Sequence, residues 1–77
     1  MVDLLDLRDR VEHQVLLRTG RRVRRLAVEL CPERVVLRGS AGSYYIKQLA
    51  QHGVRELLPD VLLENAITVD SQAGLIG

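Results

Sequence analysis

Apolar positions in the first twenty residues recur at helical spacing. Leu4, Leu7, Val11 and Val15 lie three or four apart and fall on one face. The spacing predicts a helix over residues 3–18, with His13 on the opposite face. Asp3 is its expected N-cap, Asp6 suits the first turn, Arg18 suits the last, and Gly20 closes the helix in a left-handed conformation. From residue 23 the period changes to two. Leu26, Val28 and Leu30 share one parity and Arg25, Ala27 and Glu29 the other, which predicts a strand over residues 23–30. Cys31-Pro32-Glu33-Arg34 reads as a turn, because Pro32 has no N–H to give to a ladder. A second strand over residues 35–38 sets Val35 and Leu37 toward Leu26 and Val28 across a hairpin. Gly39-Ser40-Ala41-Gly42-Ser43 reads as a tight loop in which Ser40 or Ser43 caps the next helix.

That helix is expected over residues 44–58. Its stripe is Ile46, Leu49, Ala50, Gly53, Val54 and Leu57. A mid-helix glycine costs about 1 kcal/mol against alanine, so Gly53 in the stripe implies a close approach, expected here to the sheet. Pro59-Asp60 stops the helix. A third strand over residues 61–69 points Val61, Leu63, Ile67 and Val69 inward, and Asn65, of the same parity, is expected to bond backbone at the core edge. The order α-β-β-α-β predicts an α+β two-layer sandwich, two helices on one face of a three-stranded sheet, with the strand order left open.

Composition agrees with a folded domain. The chain has 77 residues, 47% hydrophobic and 27% charged, which is room for one domain with a small core. Residues 3–70 are expected to carry the fold and 71–77 to be a frayed tail. Acids interrupt the N-terminal apolar positions too often for a signal peptide. No apolar run approaches the roughly 20 residues of a membrane span, so the chain as it stands reads as cytoplasmic. A single cysteine, Cys31, excludes an internal disulfide.

Eleven basic residues against ten acidic give a net charge of +1, but the balance is local rather than even. Arg18, Arg21, Arg22, Arg24 and Arg25 fall within eight residues with no acid among them, around the loop between the first helix and the first strand. Such a cluster attracts anionic lipid or another polyanion; its bland reading is a solvated loop paired with nearby acids. Arg21, Arg22, Arg24 and Arg25 are the candidate anion-binding residues, with Tyr44 as an interfacial anchor; the bland reading of the pair Tyr44 and Tyr45, of which Tyr45 flanks the buried stripe, is rings covering the core edge. Only two aromatic residues, both tyrosine, argue against base stacking on several rings. Gly39-Ser40-Ala41-Gly42 matches the G-x-x-G loop of KH nucleic-acid modules in letters, but it follows a strand and holds no basic residue, so it reads as a structural turn whose amides could hold an anion. His13 and His52 lie on separate solvent faces without a second ligand at useful spacing, and no nucleophile or carboxylate pair is recognisable. The chain is therefore expected to be no enzyme and to take no cofactor, metal or small-molecule substrate. The sheet face away from the helices is expected to carry Val23, Arg25, Ala27, Val36, Arg38, Leu62, Ala66 and Thr68. Its apolar members Val36, Leu62 and Ala66 are candidates for self-association into a homo-oligomer, with Val36→Asp expected to abolish it and leave the domain folded.

The element order and one stretch of sequence resemble the BON domain, a bacterial module of osmotic-stress and nodulation proteins. The resemblance rests on Val35-Val36-Leu37-Arg38-Gly39, on Ala50 within the second helix, and on Asn65-Ala66-Ile67-Thr68-Val69, and is best over residues 23–69. Pro59-Asp60-Val61 stands where the family usually has Gly-Val, and Pro32-Glu33-Arg34 where it often has an Asp/Asn-Gly turn. The resemblance implies a non-catalytic binding or adapter module for phospholipid or an envelope protein partner, working in the bacterial periplasm or envelope if a signal was removed. A KH-like nucleic-acid binder and a self-associating structural domain are the alternatives.

Overall fold

The computed structural model describes residues 4–70, with the side chains of residues 6–70. Five elements follow the expected order: α1 (Leu4–Thr19), β1 (Val23–Leu30), β2 (Arg34–Ala41), α2 (Tyr44–Leu57) and β3 (Leu62–Val69). The expected cap Asp3, the side chain of Leu4 and the expected tail 71–77 lie outside the described residues. The sheet is mixed, in the order β1-β2-β3. A short turn joins β1 to β2, so they run antiparallel; α2 intervenes before β3, which returns parallel to β2. Both helices cover one face. Val11 and Val15 of α1 meet Ile46, Ala50 and Val54 of α2 over Val28, Val35, Leu37 and Ile67 of the sheet, and all are buried. The fold is an α+β two-layer sandwich.

Local chemistry fixes the element ends. After Thr19 the chain makes a Schellman closure: the Arg21 amide donates to Leu16 O at 2.8 Å and the Gly20 amide to Leu17 O at 3.3 Å, with Gly20 at φ +64°. Ser43 caps α2, its hydroxyl accepting from the Ile46 amide at 3.2 Å. Asn65 bonds backbone as its parity requires, donating to Lys47 O at 2.9 Å and accepting from the Ile67 amide at 3.2 Å.

Four expectations need correction. β2 does not end at Arg38 but runs on through Gly39, Ser40 and Ala41, so only Gly42 and Ser43 connect it to α2. The continuation is stabilised by β3, whose register partners reach Ala41 opposite Val69. Second, Val23 belongs to the core and not to the open face, being 5% exposed. A bulge is responsible: Arg24 pairs with Ser40 and Ala27 with Arg38, leaving Arg25 and Leu26 together opposite Gly39, which reverses the parity of everything before it. Gly39 permits this. It sits at φ +151°, and a Cβ there would lie 2.9 Å from Arg24 O. Third, Gly53 brings α2 close to α1 rather than to the sheet. A Cβ would stand 3.2 Å from Gln14 O and 3.3 Å from Val15 Cα.

The fourth concerns the outer sheet face. Val36, at its centre, is 1% exposed although no helix lies on that side. Its cross-strand neighbours are Glu29 and Glu64, and Arg34 and Arg38 flank it along β2. Arg38 donates to Glu29 at 2.9 Å and Arg34 pairs with Glu64 at 3.5 Å, so the stems of four long side chains fold over the valine. An acid at Val36 would therefore be buried, and the variant is not the surface change the sequence implied. Leu62 remains exposed and Ala66 half-buried on this face.

Candidate anion-binding groove

The basic run is delivered to one end of the sandwich by three backbone features. The Schellman closure turns the chain out of α1 and leaves Arg21 in the left-handed region at φ +61°. Arg22 and Arg24 bracket the inward Val23. The bulge holds Arg25 at φ +56°. These are the only two non-glycine residues with positive φ among the described residues, and a side chain there costs of order 1–3 kcal/mol where glycine would cost less. Two members of one short basic run therefore keep strained backbone.

The same end carries the start of α2. Arg21, Arg22 and Arg24 line a groove of about 520 Å³ whose other wall is Gly42, Ser43 and Ile46. The positive end of the α2 dipole thus borders the same space as three arginines, both favouring an anion. The Ser43 hydroxyl is occupied by its capping bond, so what converges here is positive charge rather than a nucleophile. Arg25 stands on the bulge and does not line the groove. Tyr44, the first residue of α2, is 62% exposed.

Ion pairing divides the five arginines. Arg18 leaves the cluster: its Nε donates to Glu56 Oε1 at 2.7 Å, its Nη2 holds Glu56 Oε2, and Gln14 donates to the same carboxylate at 2.6 Å. The Arg18 hydrogen bonding, helped by Gln14 and by the charges of Arg18 and His52, outweighs desolvation and holds the Glu56 carboxyl below its ordinary range. Arg24 meets Asp70 at 3.3 Å in an exposed pair. Arg21, Arg22 and Arg25 form no ion pair among the described residues, and all three are exposed.

Tyr45 differs from its expectation. It does not cover the core edge but is 65% exposed, at the rim of a second cavity shared with Leu17, Arg18, Arg22 and Leu49. The core stripe of α2 begins one residue later, at Ile46. Leu17, also 65% exposed, is a residue that sequence reading passed over. Its signal was available: it lies two positions after Val15, hence roughly 200° round the helix from the buried stripe. The G-x-x-G letters are spent within β2 and its exit and join no pair of helices. His13 and His52 are exposed on α1 and α2, and Cys31 is a partly buried free thiol in the β1–β2 turn. Among the described residues no three His, Cys, Asp or Glu side chains gather as a metal site, and no helix is long and apolar enough to cross a membrane. No protein-family model, curated protein or solved structure matches the chain.

Proposed function

We propose that the chain is a non-catalytic binding module that docks its basic end on a phosphate-bearing surface, an anionic phospholipid bilayer first. One observation carries the reading: Arg21, Arg22 and Arg25 stand exposed without an acid partner among the described residues, two of them on strained backbone, while Arg34 and Arg38 on the sheet are matched to glutamates. Strain retained at an exposed charge is hard to explain by folding and fits selection for a ligand. Each arginine near an anionic bilayer contributes about 1 kcal/mol, so four of them suit weak, salt-sensitive docking. The BON-like stretch favours lipid over nucleic acid, and so does the shortage of aromatic side chains for stacking.

Co-sedimentation tests this. Phosphatidylglycerol-rich vesicles are expected to pull the chain down at low salt and release it at high salt, and phosphatidylcholine vesicles to leave it in solution. Replacement of Arg21, Arg22, Arg24 and Arg25 by alanine should abolish sedimentation. A chain that ignores anionic vesicles but shifts single-stranded RNA or DNA would transfer the groove to nucleic acid. Indifference to both would reduce the arginines to a solvated loop.

A further inference from the structure

At the basic end, exposed apolar groups stand beside the exposed charge. Leu17 near the end of α1 and Tyr45 in the first turn of α2 are each 65% exposed and line one cavity of about 290 Å³ with Arg18, Arg22 and Leu49. Leu17 also borders a smaller hollow of about 210 Å³ beside Leu16, Gly20 and Arg21. A lone exposed leucine needs no explanation, but here a leucine and a tyrosine from different helices meet at one rim, with Arg21 and Arg22 next to them. Neither contributes to the buried cluster. Asp70, held at this end by its amide bond to Ala41 O, pairs with Arg24, and Glu56 pairs with Arg18, which leaves Arg21 and Arg22 without an acid partner among the described residues.

We infer that Leu17 and Tyr45 form an apolar anchor that enters the headgroup layer of an anionic bilayer while Arg21 and Arg22 engage its phosphates. The inference rests on the docking reading above and adds what holds the domain once charge has brought it there. Charge complementarity selects this occupant: an apolar tip collared by arginines that no described acid pairs matches a surface that is anionic outside and hydrocarbon beneath. Tyrosine suits that boundary, its ring apolar and its hydroxyl wet.

The two components separate by salt. Arginine attraction is screened, whereas apolar insertion is not. The chain also contains two tyrosines and no tryptophan, so its emission arises at this end of the molecule. The experiment uses the full chain, its Leu17→Ser and Tyr45→Ser variants, and the single-tyrosine variants Tyr44→Phe and Tyr45→Phe, with phosphatidylglycerol vesicles carrying brominated acyl chains. Both serine variants are at exposed positions and should melt as the wild type does. Each is expected to weaken vesicle binding about tenfold, consistent with losing burial of one large apolar side chain. Bromine should quench the emission of Tyr45 in the Tyr44→Phe variant. Three results would overturn the inference. The first is wild-type binding with serine variants within twofold of it and Tyr45 unquenched, which leaves arginine docking standing. The second is dissociation of a wild-type dimer by Leu17→Ser in light scattering, which makes the rim a contact between copies. The third is no vesicle binding by the wild type, which removes the docking reading as well.

Discussion

Arginines on the outer sheet face and arginines at the basic end are the same residue type in opposite circumstances. Arg34 and Arg38 lie along a regular strand, each matched to a glutamate, and between them they bury Val36. Arg21 and Arg25 sit where the backbone leaves regular geometry, matched to nothing among the described acids. The first set substitutes for a missing layer: with helices on one side only, a domain this small covers its second face with charged side chains lying flat. The second set costs the fold something and returns nothing to it. The contrast separates charge that builds the protein from charge presented outward.

The strongest way to break the comparison is to put an acid under the first set. Val36→Asp buries a carboxylate between Glu29 and Glu64, a penalty of at least about 3 kcal/mol in a chain whose whole stability is of that order. Loss of the cooperative thermal transition in circular dichroism is the expected outcome. A variant that stays folded would mean the face is open after all, and would return Val36 to the surface.

Next in size is Gly39→Ala. The new methyl meets Arg24 O at 2.9 Å and a φ of +151°, so the bulge must shift or the strands part. The expected loss is about 2 kcal/mol or more in denaturant unfolding. Because the bulge positions Arg25, vesicle binding should weaken too. Unchanged stability would show that the bulge is not fixed by this glycine.

Arginine substitutions sharpen the contrast directly. Arg34→Ala and Arg38→Ala should each cost about 1 kcal/mol, little of it from the exposed ion pair and most from uncovering Val36, and leave vesicle binding alone. Arg25→Gly should do the reverse, holding stability or raising it by up to about 1 kcal/mol while binding falls. If Arg25→Gly unfolds the domain or spares binding, strain at the bulge has no bearing on a ligand.

Much of this was readable beforehand. Periodicity and caps placed all five elements, Gly20 at the end of α1 and Asn65 on backbone, and narrowed the cap of α2 to Ser40 or Ser43, of which Ser43 is the cap. What escaped has a common physical cause, which is that neighbouring strands and helices override local preference. Gly39-Ser40-Ala41 reads as loop until β3 offers it a ladder. Strict alternation misplaces Val23 because a bulge is decided by both strands. Gly53 announces a close approach but not whose. The arginine run was plain in the chain, yet its groove needs Gly42 and Ser43, which topology alone brings opposite. Leu17 lies off the apolar stripe of α1, where helical periodicity marks no buried position, and a single exposed leucine carries no signal until α2 brings Tyr45 beside it.

Arg18 is the member of the basic run that changes sides, and acid titration isolates it. Glu56 is held below the ordinary glutamate range chiefly by hydrogen bonding from Arg18. A carboxyl whose folded pKa is depressed stabilises the fold above its unfolded value, and that contribution disappears as pH falls through the folded value. Glu56→Gln should therefore melt slightly below the wild type at neutral pH, with the gap closing in the acid range beneath ordinary glutamate titration. The effect is small because the pair is exposed. Arg18→Ala should reproduce the loss at neutral pH and leave vesicle binding intact, unlike Arg21→Ala or Arg22→Ala. A gap that stays constant down to full carboxyl protonation would show that ionised Glu56 is not what Arg18 holds, and would place Arg18 back among the arginines turned outward.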